Sequence, residues 1–241
     1  MFNTEVTDDP FNDTRILDTW HKNARSWTNA VRKGEIESRR QVTDLAIIDA
    51  VLDRSSRTVL DIGCGEGWLA RELAARNIKV SGVDAVPELI EAARLAGGGD
   101  FRVMTYEDIA AGKLEVSVDT AVCNFSLLGK ESVEGLFNAV PALLSPNGVF
   151  IVQTLHPLIA CGDLPYEDGW REGSWAGFNE DFTDPAPWYF RTLESWIRLF
   201  VDNGFRLREV REPLHPETQK PVSVIFVGAV LKVKQRNGRR K

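Results

Sequence analysis

The sequence predicts an α/β protein organised around a mostly parallel sheet. Three observations point there: short, near-continuous apolar runs, helical patterns between them, and a glycine-rich turn joining the first run to the next helix. Strands covered on both faces by crossover helices read as unbroken apolar segments. The runs are Thr58–Ile62, Ile78–Val83, Phe101–Met104, Val116–Cys123 and Gly148–Leu155. Helical patterns occupy Trp68–Arg76, Pro87–Leu95 and Glu131–Leu144; the second opens on a proline and is followed by Gly97–Gly99. A further helix, Arg191–Asn203, is stopped by Gly204 and leads to two more strands, Phe205–Val210 and Val222–Val233, that can close the sheet. Upstream, apolar residues at 42, 45, 46, 48, 51 and 52 predict a helix over Val42–Leu52 that packs on the sheet. Another helix is expected over Ile16–Val31, carrying Trp20 and Trp27.

The organisation that follows is a helical segment over 1–39, a main domain over 40–231 and a basic, disordered tail over 232–241. Residues 157–190 interrupt the domain with glycine, proline, acids and aromatics and without periodicity. A loop of that length in a compact domain is usually functional, and its aromatics argue for an ordered cap. Of seven tryptophans, Trp170, Trp175 and Trp188 fall in this insertion. There they would wall off a dry pocket, stack on a flat substrate, or form a small satellite core. Trp68 and Trp196 read as structural, on helices packed against the sheet.

Composition excludes several function classes. The net charge is −6, but six of the 29 basic residues lie in 232–241, which leaves 23 against 35 acidic residues, or −12, over 1–231. A nucleic-acid binder needs a basic face, so none is expected as a partner. Cys64, Cys123 and Cys161 form neither a disulfide framework nor a metal knuckle, and three histidines (His21, His156, His215) support no histidine-rich metal site. No apolar run approaches a membrane span, and Met1 leads into polar sequence. The expectation is a soluble, cytoplasmic protein without membrane partners, of undetermined oligomeric state.

The most informative stretch is Val59-Leu60-Asp61-Ile62-Gly63-Cys64-Gly65-Glu66-Gly67-Trp68. Glycines let a ligand approach the backbone, and the helix N-terminus offers free N–H groups. Asp84 ends the next strand, where a carboxylate can accept both hydroxyls of a ribose. A dinucleotide loop would read Gly-x-Gly-x-x-Gly, whereas this one reads Gly-x-Gly-x-Gly and carries Asp61 just before the turn. An acid there repels a pyrophosphate and suits a cationic ligand. S-adenosylmethionine has an ammonium, a sulfonium and a ribose but no phosphate, so Asp61 and Glu66 both fit it.

These features resemble the class I S-adenosylmethionine-dependent methyltransferases over roughly residues 40–231. The resemblance rests on Val59–Gly67, Gly82-Val83-Asp84, Asp119–Asn124 and Leu143-Leu144-Ser145-Pro146-Asn147-Gly148. It implies a Rossmann-like, seven-stranded, mostly parallel sheet with helices on both faces and the last strand antiparallel. It also implies S-adenosylmethionine as cofactor: backbone at Gly63 and Gly65 against the methionine part, Asp61 near its ammonium, Asp84 and Ala85 at the ribose. Thr105 stands where the family usually has its adenine acid, so Tyr106 and Glu107 are the candidates at the adenine edge. Asn124 and Phe125 would line the mouth of methyl transfer. The N-terminal segment is similar to that of glycine N-methyltransferase-like proteins, which implies a lid in which Trp27 covers the cofactor and Arg39 pairs with its carboxylate; Arg40 is the rival.

Methyl transfer is an in-line displacement in which orientation and exclusion of water do most of the catalysis, so a dedicated catalytic residue is optional. His156, after the fifth strand, is the first candidate base and Tyr189 the second. A small organic acceptor, attacking through oxygen or nitrogen, is the leading expectation. RNA or protein methylation, or a cofactor-binding protein without turnover, are the alternatives. The Asn/Asp-Pro-Pro-Tyr/Phe signature of base-amine methylation is replaced by Cys-Asn-Phe-Ser.

Overall fold

Crossover helices and apolar strands assemble as the pattern requires. The computed structural model describes residues 10–231; the expected tail over 232–241, and residues 1–9 of the N-terminal segment, lie outside them. The strands are β1 (Thr58–Ile62), β2 (Lys79–Asp84), β3 (Asp100–Val103), β4 (Val118–Asn124), β5 (Leu144–Leu155), β6 (Gly169–Arg171), β7 (Trp188–Phe190), β8 (Phe205–Arg211) and β9 (Ser223–Val230). Seven form one sheet in the order β3-β2-β1-β4-β5-β9-β8. β1 to β5 pair in parallel, and β9, the last strand, runs antiparallel between β5 and β8.

The helices are α1 (Asp13–Lys33), α2 (Asp44–Leu52), α3 (Trp68–Ala74), α4 (Pro87–Ala96), α5 (Tyr106–Ala110), α6 (Glu131–Leu143), α7 (Pro157–Ala160) and α8 (Leu193–Asp202). One face of the sheet packs against α5, α6 and α8 through a core that includes Leu60, Ile62, Phe137, Phe150, Phe200 and Phe226. The other packs against α2, α3 and α4 through Ile47, Val59, Leu69, Val80, Ile90 and Ile225. Both faces are therefore covered, which is why the strands carry no polar alternation.

Most boundaries move by one to three residues from the sequence reading, and three of the differences have a clear local reason. β5 begins at Leu144 rather than Gly148, because Leu144 pairs with Val118 ahead of a register shift. The helix expected from Val42 starts earlier, as a π-helical turn over Arg39–Thr43 that runs straight into α2. The 157–190 segment holds regular structure after all: β6 and β7 pair as an antiparallel ribbon, so α8 starts only at Leu193, capped by the Thr192 hydroxyl.

α1 packs on α4 and on the insertion. Its Asn23 is fully buried: Nδ2 donates to the Thr183 (2.8 Å) and Thr19 (2.9 Å) carbonyls, and Oδ1 accepts from Thr183 N at 2.9 Å. Ser26 Oγ donates to the Asp181 carbonyl at 2.9 Å, and Arg15 and Lys22 both bind Asp184. Buried amide groups without partners are expensive, so these bonds fix one segment against the other. Asn23→Ala should loosen the insertion selectively, by about 1–3 kcal/mol for the orphaned Thr183 groups. Amide exchange over 181–184 is expected to speed up while β1 and β4 stay protected; unchanged exchange at 181–184 would refute the link.

Candidate active site

The turn after β1 is fixed by backbone bonds to the end of β2: Gly63 N and Cys64 N both donate to the Val83 carbonyl, at 2.8 and 3.0 Å. Gly63 has φ +74°, and a Cβ there would lie 2.3 Å from Ser126 Cβ, so glycine is required on two counts. Gly65 N donates to Asp84 Oδ2 at 2.9 Å, while Asp84 Oδ1 accepts from Val86 N at 2.9 Å. Asp84 thus braces the turn rather than capping α4, whose N-cap is Val86. Burial raises its pKa against the opposing pull of those backbone bonds. Each carboxylate oxygen still has acceptor capacity toward the cavity it lines.

Asp61 is 2% exposed, with no cation within 4.0 Å and no hydrogen bond to its carboxylate among the described residues. Burial, and then the charge of Asp84, push its pKa up to about 7. Its charge also helps burial hold the Cys64 and Cys123 thiols protonated. Asp61 is not among the residues lining the cavities described below. Glu66 departs from expectation. It is fully buried and bound by Arg32 Nε of α1 at 2.9 Å and by Arg71 Nη2 at 2.6 Å, so its charge is already matched and cannot serve a ligand.

Two cavities meet at this turn. The smaller, about 120 Å³, is lined by Asp84, Ala85, Leu89, Tyr106 and Glu107 among others. The larger, about 380 Å³, is lined by Arg39, Trp68, Trp175, Trp188, Tyr189 and Arg191 among others. Trp20, Trp27, Gly63, Gly65, Asn124, Phe125 and Leu128 line both. Tyr106 donates from its hydroxyl to the Ser126 carbonyl at 3.0 Å, and burial pushes its pKa well above the ordinary value. Thr105, in place of the expected acid, caps α5 reciprocally with Asp108. Phe125 adopts φ +54°, a left-handed conformation uncommon outside glycine, at the junction of the cavities.

Arg39 comes from the π-helical turn and is 9% exposed, whereas Arg40 is exposed to solvent. Arg39 Nε binds Asp44 at 2.9 Å, its guanidinium lies 4.6 Å from the Trp68 ring centre and 5.8 Å from that of Trp27, and Nη1 is buried without a partner. His156 is elsewhere. It is 1% exposed, its Nε2 sits 2.8 Å from Glu212 Oε1, and it does not line the larger cavity although Leu155 and Pro157 do. Tyr189 does line it, held by its N–H to the Leu128 carbonyl at 2.7 Å.

Trp68 and Trp196, read as purely structural, also form cavity wall, and Ser126 and Arg191 were not singled out. For Trp68 a signal existed: it is the first helical residue after a ligand-type turn. Trp170 packs edge-on to Tyr189, at 5.6 Å, outside the lining.

The raised pKa of Asp61 has a stability consequence. The folded state holds this proton more tightly than the unfolded state, whose carboxyl titrates near 3.8, so stability is lost as pH rises through the window up to about 7. Asp61→Asn should remove that loss and stabilise the ligand-free protein at pH 8 by on the order of 4 kcal/mol. Urea unfolding at pH 5 and 8 checks this; a variant less stable than wild type at pH 8 would contradict it.

The sheet order, the antiparallel last strand and a glycine turn answered by an acid at the end of β2 define the class I methyltransferase fold. The chain belongs to the methyltransferase domain family, whose model matches residues 36–210. It is 34% identical over 117 residues to a ubiquinone biosynthesis O-methyltransferase of Xanthomonas oryzae, covering 46% of this chain and 48% of that one. The chain thus spans about half the length of that relative. In structure it is similar to a putative S-adenosylmethionine-dependent methyltransferase of Listeria monocytogenes (TM-score 0.63, 20% identity, 78% of this chain and 96% of that one). It is also similar to an S-adenosylmethionine-dependent methyltransferase of Mesorhizobium loti (TM-score 0.58, 21% identity, 76% and 96%).

Proposed function

We propose that the protein transfers a methyl group from S-adenosylmethionine to a small organic acceptor held in the larger cavity. The observation that carries this reading is a pair of buried groups with capacity to spare at the glycine turn: Asp61, without a cation within 4.0 Å among the described residues, and Arg39, which binds Asp44 through Nε but leaves Nη1 free. An amino acid's ammonium and carboxylate on one ligand match that pair. A pyrophosphate does not, because Asp61 and Asp84 both repel it. Asp84 and Ala85 then receive the ribose, and Tyr106 and Glu107 border the adenine in the smaller cavity. Asn124 and Phe125, shared by both cavities, stand where the methyl group passes.

When bound, S-adenosylmethionine supplies an electrophilic methyl group on a sulfonium. The chain's own contribution is to hold the reactants in line and keep water out. α1 and the 157–190 segment act as one cover, with Trp20, Trp27, Trp175 and Phe178 packed ring on ring between them. Aromatic faces around a cation suit the sulfonium as well as Arg39. No Asp, Glu or His lines the larger cavity among the described residues, and burial keeps Cys64 protonated. Tyr189 is therefore the candidate for proton transfer, and His156, tied to Glu212, is assigned to fixing the turn from β5 into α7. The net charge of −12 over 1–231 favours a small acceptor over RNA.

Calorimetric titration tests the reading. S-adenosylmethionine should bind and NADH should not. Asp84→Ala and Arg39→Ala should each weaken S-adenosylmethionine by roughly 10- to 100-fold, as for charged hydrogen bonds of about 1.5–3 kcal/mol. Tight NADH binding without S-adenosylmethionine binding would overturn it.

A further inference from the structure

We propose that the acceptor carries a compact oxyanion, such as a carboxylate, on a flat apolar framework, and that Arg191 binds it. This assignment rests on the methyltransferase reading above and names the substrate class of the same site. Arg191 is 4% exposed and lines the larger cavity. A buried guanidinium ordinarily has a carboxylate beside it. Here none lies within 4.0 Å among the described residues. Nη1 donates to the Gly129 carbonyl at 2.9 Å and Nη2 to the Lys130 carbonyl at 3.1 Å. Those two bonds engage part of a five-donor group and bring no full negative charge.

The nearby acids are spent elsewhere. Asp13 accepts from Lys130 N (2.9 Å) and Ser132 N (2.7 Å), Asp168 accepts from Thr192 N (2.8 Å), and Glu134 faces Lys130. Burial accordingly lowers the Arg191 pKa, with those acids opposing only at a distance. The ring faces of Tyr189 and Trp196 stand 4.8 and 5.3 Å from its central carbon and fix the guanidinium between them.

Of the two arginines in the wall, Arg39 already has Asp44 and the cofactor's carboxylate to face. Arg191 is the spare cation, anchored to the loop after β4 that also supplies Leu128 to both cavities. The rest of the wall is uncharged and carries Trp175, Phe178 and Trp188 among aliphatic and small residues, so the matching molecule presents a ring to those aromatic faces and an oxyanion to Arg191. A neutral analogue would leave the guanidinium desolvated and unmatched, which is how a polar site rejects ligands that lack the complementary group.

The test uses the full chain saturated with S-adenosylhomocysteine and titrates 2-naphthoate against 2-naphthamide by calorimetry at low and high salt. Naphthoate should bind at least about tenfold tighter than the amide, as expected of a charged hydrogen bond. Its advantage should shrink as salt rises. Arg191→Met should erase the preference and Arg191→Lys should keep part of it, with S-adenosylhomocysteine binding reporting that each variant is folded. Equal binding of the two probes overturns the assignment, as does no binding of either one to a protein that holds S-adenosylhomocysteine. A preference that survives in Arg191→Met overturns it too. Failure of the wild type to bind S-adenosylhomocysteine would instead overturn the methyltransferase reading, and this assignment with it.

Discussion

The brace between the glycine turn and the end of β2 is the constraint on which the rest of the site depends. Two N–H groups of the turn converge on the Val83 carbonyl and a third reaches Asp84, so the turn cannot move without unpairing buried backbone. That rigidity holds two carboxylates in a dry environment, where burial and then the charge of Asp84 raise the cost of ionising Asp61. Asp61 meets no cation within 4.0 Å among the described residues, and on the proposed reading the ammonium of the cofactor would supply one. Arg39, paired with Asp44 and set against the rings of Trp68 and Trp27, keeps one buried nitrogen free.

The same turn anchors the cover. Glu66 leaves the turn in the opposite sense, toward Arg32 of α1 and Arg71 of α3. α1 in turn grips the insertion through Asn23, Ser26 and the Asp184 ion pairs. A side chain that looked like a ligand contact is therefore the tie between turn and cover. Order at the turn, at α1 and at the aromatic wall is coupled by direct contact rather than by proximity alone. The proposed methyl transfer would rely on the exclusion of water that this coupling supports.

The central fold was legible because burial on both faces leaves an unambiguous apolar signature, and because a glycine turn between strand and helix has few uses. β1 matched its expected limits, Thr58–Ile62, since polar sequence bounds it on one side and glycine on the other. The candidate site was legible where backbone dictates position, as at Gly63, Asp84 and Asn124, all of which line the smaller cavity. It was not where one residue's direction decides. Leu155 and Pro157 face the larger cavity while His156 between them turns to Glu212, as alternation at a strand end allows. Glu66 and Asp61 looked alike as acids near a turn, yet in the fold Arg32 and Arg71 reach only Glu66. Arg191 was hidden by its place at the start of a helix pattern, and its isolation from carboxylates is a property of the tertiary structure.

On the proposed reading, one ligand meets both the Asp61 carboxylate and the free Nη1 of Arg39. A crystal structure of the protein with S-adenosylhomocysteine tests it most directly. The expected electron density places the ligand's carboxylate within hydrogen-bond distance of Arg39 Nη1, its ammonium on the Asp61 side of the glycine turn and its ribose on Asp84. An amino-acid end pointing away from Arg39, or a ligand bound outside the two joined cavities, would contradict it.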